Sequence, residues 1–113
     1  MKKIKVSEAS GPVLDWLVAK ADNQLAYITF DFESTHPLVL SGIQAYGPSF
    51  IWSQGGPIIE REKIELRHDG RQSWCAWIAK TGAVHGPTSL IAAMRCFVAS
   101  KLGDEVEVPE DLL

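Results

Sequence analysis

Apolar residues recur along the chain with two different periods. Between Gly11 and Asp22, the residues Val13, Leu14, Leu17, Val18 and Ala21 share one face of a helical wheel. Asp15 and Asp22 fall opposite, and Trp16 and Lys20 flank the stripe, which makes Trp16 a half-buried edge residue. Pro12 suits the first turn of such a helix, because its missing N–H would have no partner there. A tight turn at Ser7–Ser10 leads into it. Leu25–Phe32 is rich in aromatic and β-branched residues and reads as a strand. His36-Pro37 breaks it, and Leu38–Leu40 resumes an extended run toward Gly42. Lys63–His68 alternates, with Ile64 and Leu66 on one side and Glu65 and Arg67 on the other. Asp69-Gly70 is a turn signal, and Ser73–Ala79 returns as the partner strand. That strand is apolar on both faces, Trp74, Ala76 and Ile78 against Cys75, Trp77 and Ala79, and so needs cover on both.

A last helix should begin behind Thr88, a good N-cap, and end at Gly103, a good residue just past a helix. Its wheel sorts by size. Leu90, Ile91, Met94, Phe97, Val98 and Leu102 make a bulky face suited to burial on a sheet. Ala92, Ala93, Cys96 and Ala99 make a small one that either approaches another backbone or faces water. The small face is the candidate surface for a homodimer. In the tail, Val106 and Val108 alternate with acids, as in a short edge strand. Tyr46–Pro57 carries three Gly and two Pro and reads as an ordered loop, with a short helical turn from Pro57 through Arg61. The elements amount to an α+β fold: a central, mainly antiparallel sheet with the two long helices packed on its faces in an α/β/α sandwich. The alternative is a two-layer fold with both helices on one face.

At 113 residues this is one domain, spanning 1–113. With 11 Lys+Arg against 14 Asp+Glu the net charge is −3, which disfavours a general nucleic-acid binder. A basic face gathering Lys2, Lys3, Lys5, Lys20, Arg61 and Lys63 would reverse that reading. The basic N-terminus has no apolar segment behind it, and no run approaches a membrane span, so a cytoplasmic protein is expected. Cys75 and Cys96 lie in apolar runs without a CxxC motif and read as buried, reduced thiols.

Catalytic motifs are absent: there is no GxSxG, no phosphate-binding glycine pattern and no HExxH. His36, His68 and His85 all sit beside expected turns, without ligand spacing, so neither metal nor cofactor is expected. Gly55-Gly56 before Pro57 is only a weak anion nest. Glu60-Arg61-Glu62 reads first as a solvated charge run. Trp52 has two open readings, a recognition anchor on a rigid loop or a plug over the sheet edge. The candidate binding surface is therefore Tyr46, Pro48, Trp52, Gly55, Gly56, Glu60 and Arg61.

Three blocks carry a family resemblance. Met1–Ser7 leads to Leu14-Asp15-Trp16-Leu17-Val18-Ala19-Lys20. Tyr46-Gly47-Pro48-Ser49 is followed by Trp52–Glu62. Gly86–Glu105 is the most specific block. Together they resemble the NinX-like proteins of lambdoid phages and, more distantly, phage ABA sandwich domains; Asn23–Ala45 carries little of the match. Phe50-Ile51 departs from the family's polar pair before the tryptophan, and Ser89 stands where proline is frequent. The resemblance implies helices on both faces of a sheet and a small phage or prophage accessory protein. It brings no agreed activity and no catalytic residues. On this footing the expected role is a non-enzymatic protein-interaction module acting on a host or phage protein in the bacterial cytoplasm. The alternative is a nucleic-acid-associated accessory of recombination or replication.

Overall fold

The most apolar stretch of the chain, Ser89 to Leu102, is the helix around which the rest is arranged. The computed structural model describes residues 1–24, 26–30, 37–42, 44–71, 73–79 and 82–113. It runs β1 (Lys2–Lys5), a 3-10 turn (Val6–Glu8), α1 (Gly11–Ala21), β2 (Tyr27–Phe30), β3 (Pro37–Ser41) and β4 (Gln44–Ala45). It continues through α2 (Trp52–Glu62), β5 (Glu65–His68), β6 (Trp74–Trp77), β7 (Val84–Gly86), α3 (Ser89–Leu102), β8 (Glu105–Val108) and a second 3-10 turn (Glu110–Leu112). The α1 and α3 bounds follow the sequence signals. The Thr88 hydroxyl accepts from the Ile91 amide at 3.1 Å, and the Gly103 amide donates to the Ala99 carbonyl with Gly103 at φ +90°.

The fold is α+β, and the strand pairs described are antiparallel. The layering differs from the expected sandwich. The described strands are divided among three small sheets, β1–β8, β2–β3–β4 and β5–β6–β7, instead of one central sheet. α3 packs on β5–β7 and also on α1, and α1 in turn packs on β3, so helices lie between sheets. The cause is visible in α3 itself: a helix apolar nearly all round must be enclosed. Leu90, Met94, Phe97 and Val98 are buried, and so are Ala92, Ala93 and Cys96 at 0% exposure, with Ala99 half-buried. The small face is therefore not a dimer surface. It meets the backbone of the chain's own sheet: a Cβ on Gly86 would lie 2.6 Å from the Ala92 amide nitrogen. Arg95, one of the few polar residues of α3, donates to the Ala9 carbonyl at 2.7 Å and the His85 carbonyl at 2.9 Å, tying β7 and the start of the chain to the helix.

The two faces of β6 have different fates. Leu66, Ala76 and Val84 are in register across β5, β6 and β7, and the Ala76 side is sealed by α3. The other side carries Arg67, Cys75, Trp77 and His85; Arg67 and His85 are exposed, and the Arg67 guanidinium lies 5.8 Å from the Trp77 ring. Trp74 and Trp77 are thus half-buried, whereas Cys75 and Cys96 are both buried thiols. The acidic tail forms the expected strand, with Val106 and Val108 buried. Its partner is β1, where Lys3 stands opposite Glu107 and Lys5 opposite Glu105.

Candidate functional site

The segment expected to be a loop is a short turn running straight into a helix. α2 starts at Trp52 and contains Gly55, Gly56 and Pro57. The turn supplies what the composition lacks. The Phe50 and Ile51 amides donate to the Gly47 carbonyl at 3.0 and 2.7 Å, and the Ile51 carbonyl then accepts from Gln54 and Gly55. Gln54, in the first helical turn, reaches back. Its Oε1 accepts from the Gly47 amide at 2.6 Å and its Nε2 donates to the Ala45 carbonyl at 2.9 Å, a variant of the reciprocal capping that glutamine often provides there. A side chain at position 55 would strike the Pro48 carbonyl and Leu90, so only glycine lets α2 cross this turn so closely. The Gly55 amide is consumed in the helix, and Gly55-Gly56 makes no anion nest.

The turn is fastened to α1 by Asp15. It falls opposite the apolar stripe of the helix, yet it is 2% exposed. Oδ1 accepts from the Ser49 amide at 2.9 Å, and the buried Ser49 hydroxyl also donates to the carboxylate. Burial pushes the Asp15 carboxyl up to about 6, and the two bonds from Ser49 only partly offset it. The Tyr46 hydroxyl is buried without a hydrogen-bond partner among the described residues. Burial, then the Asp22 and Asp15 carboxylates, push its phenol up to about 12.

Two different surfaces flank this fastened turn. On one side lies a polar cleft of about 470 Å³, lined by Asp22, Gln24, Gln44, Tyr46, Gln54 and Arg61 among others. Arg61 closes its edge by donating to Asp22 at 2.7 Å and Glu62 at 2.9 Å, and Lys101 reaches Glu62 at 3.2 Å, linking the ends of the three helices. The Arg61 donor is the main reason the Glu62 carboxyl sits below its ordinary range, and the Glu62 bond in turn holds the guanidinium more firmly protonated. On the other side Phe50 and Trp52 stand 68% and 58% exposed, beside an apolar notch of about 240 Å³ whose walls include Leu90 and Ile91.

The residues expected to form one surface are therefore split. Tyr46 and Arg61 line the polar cleft, and Trp52 lines the apolar notch. Pro48 and Gly55 are buried against each other, Gly56 is half-buried, and Glu60 is exposed and lines neither. At this exposure Trp52 is no core plug. Asp15, Ser49, Gln54 and Phe50 were missed as parts of the arrangement. The one usable signal was Phe50 beside Trp52, two aromatics next to a Gly-Pro turn.

His36 lies outside the described residues. His68 and His85 are exposed; His68 ends β5 beside the Asp69-Gly70 turn, as expected, whereas His85 lies within strand β7. His85 is in register with Cys75, Nδ1 to Sγ 3.2 Å, and Asp69 joins them, the three ligand atoms lying within 4.8 Å of one another. Among the described residues no helix is long and apolar enough to cross a membrane.

Fold and sites together define a small α+β domain built on one enclosed apolar helix, with the 46–62 segment pinned to α1 through a buried carboxylate. The profile of the family described as Bacteriophage P22, NinX matches residues 5–101, and the chain belongs to that family of phage proteins. No curated protein matches the chain.

Proposed function

We propose that this phage accessory protein is a non-catalytic protein-interaction module, acting in the cytoplasm of the infected bacterium and docking its partner through the Phe50–Trp52 edge. One observation carries the reading: two adjacent large aromatics stand in water on a backbone fixed by Asp15, Gly47 and Gln54. Aromatic area of this kind is costly to leave exposed, and when pre-organised it loses little entropy on binding. Trp is also the residue type most enriched among energetic anchors of interfaces. The notch beside it would take an apolar side chain from a partner protein.

The distribution of cations argues against the nucleic-acid alternative. Arg61 and Lys101 are engaged with Asp22 and Glu62, and Lys3 and Lys5 of β1 stand opposite Glu107 and Glu105 of β8. A phosphate-tracking surface needs cations left available on one face. The test is capture from infected cells, after nuclease treatment, with wild-type protein and with a Phe50→Ala/Trp52→Ala variant. A specific protein should be retained by the wild type, be depleted at least about tenfold with the variant, and bind again when purified, since losing one strong anchor costs about 2 kcal/mol or more. Equal retention by both proteins, or recovery that disappears with nuclease, would count against the reading.

A further inference from the structure

Residues 69, 75 and 85 are too irregularly spaced to form a motif, yet the β5–β6–β7 sheet brings three different ligand chemistries to one point. Cys75 and His85 face each other directly across β6 and β7, with Sγ 3.2 Å from Nδ1 and 3.9 Å from Nε2. Asp69 begins the β5–β6 hairpin on the same side of the sheet. Its carboxylate is oriented there by the Arg71 amide at 2.8 Å and the Ser73 hydroxyl. This is the side facing away from α3, and Asp69 and His85 are both exposed on it. Arg67, the cation directly opposite Cys75 on β5, is drawn along the sheet to the Trp77 ring and away from the Asp69 end. The His85 backbone is held from behind, because its carbonyl accepts from Arg95.

We propose that Asp69, Cys75 and His85 form a binding site for a divalent transition-metal ion, zinc being the ion the donor set suits. A thiolate, an imidazole and a carboxylate are together a borderline-soft set. Hard cations such as magnesium and calcium take oxygen ligands instead. Zinc bonds of about 2.3 Å to sulfur and about 2.0–2.1 Å to nitrogen in a tetrahedron place the two donors about 3.5 Å apart. The observed Sγ–Nδ1 separation is within a few tenths of that. The widest separation among the three ligand atoms, up to 4.8 Å, closes by rotation of an exposed side chain on a hairpin turn. Binding releases the Cys75 proton to solvent and leaves the fourth position to water or to a donor from another molecule. This reverses the metal-free expectation drawn from spacing alone.

The experiment is titration of the reduced, untagged protein with cobalt(II) and with zinc. Cobalt should bind with a thiolate-to-cobalt charge-transfer absorption that zinc displaces, and zinc should slow alkylation of Cys75 at least about tenfold. His85→Ala, at an exposed position that leaves the core intact, should weaken zinc binding at least about tenfold, the scale lost even when only supporting groups around a metal are removed. Asp69→Asn should weaken it less, and His68→Ala should leave it unchanged. Absence of the charge-transfer band, or equal zinc affinity in wild type and His85→Ala, overturns the proposal. So does a Cys75 that alkylates rapidly with zinc and without it, which would assign the pair to thiol chemistry.

Discussion

Asp15 shows what a single side chain does here. Its folded pKa of about 6 lies above the ordinary carboxylate value because burial outweighs its two bonds from Ser49. Between about pH 4 and pH 6 the native state therefore holds a proton that the unfolded chain has lost. The contribution of Asp15 to stability is fully present below about pH 4 and is lost as pH rises through about 6. Two pK units correspond to roughly 2–3 kcal/mol. Asp15→Asn keeps an oxygen for the Ser49 amide and offers an NH₂ to its hydroxyl, without the charge. Denaturant unfolding of both proteins across pH 4–7.5 should show the variant gaining on the wild type by that order as pH rises. A difference independent of pH would mean the carboxyl is not held in a desolvating site. Ser49→Ala removes the hydroxyl bond to Asp15 and should cost about 1–2 kcal/mol at neutral pH in the same assay.

The elements owe their positions to close backbone approaches as much as to apolar stripes. Gly86 lets β7 lie against α3 at Ala92, and Gly86→Ala should cost about 1–3 kcal/mol in thermal unfolding, as overpacking does. Ala93→Glu places an unpaired charge at a fully buried position and should prevent stable folding, not split an oligomer; circular dichroism and sedimentation of the variant distinguish the two. The helices were legible where local signals agree. Thr88 and Gly103 bracket α3, and Pro12 marks the start of α1. Only the second half of α2 was legible, as the helical turn from Pro57 through Arg61; its start was not, because Gly55, Gly56 and Pro57 are poor helix residues. Gln54 and the Gly47 carbonyl, which enable the helix, act only once the turn has formed. β1 and β7 were also invisible. Lys2–Lys5 is too polar to read as a strand without β8, and Val84–Gly86 is too short to show a period. The burial of Asp15 was not legible for a related reason: wheel polarity assumes water opposite the core, and here Ser49 is packed there. The Cys75–His85 pair depends on strand register, which spacing along the chain does not encode.

At the scale of the whole molecule, α3 is enclosed and α1 and α2 are joined through Asp15, Ser49 and the Arg61 ion pairs, so the Phe50–Trp52 edge is rigid and faces outward. Phe50→Ala and Trp52→Ala remove exposed atoms and should each change stability by less than about 0.5 kcal/mol in thermal unfolding. A larger loss would return Trp52 to a structural role. Membership of a phage protein family makes the infected bacterial cell the place to test the proposed docking edge. The most direct measurement is site-specific photo-crosslinking there, with a photoreactive phenylalanine at position 50 and, as the comparison, at the exposed Glu60, which lines neither surface. A strong crosslink to one protein from position 50, with little or none from position 60, is the predicted result. Crosslinks to nucleic acid, or equal and diffuse labelling from the two positions, would contradict it.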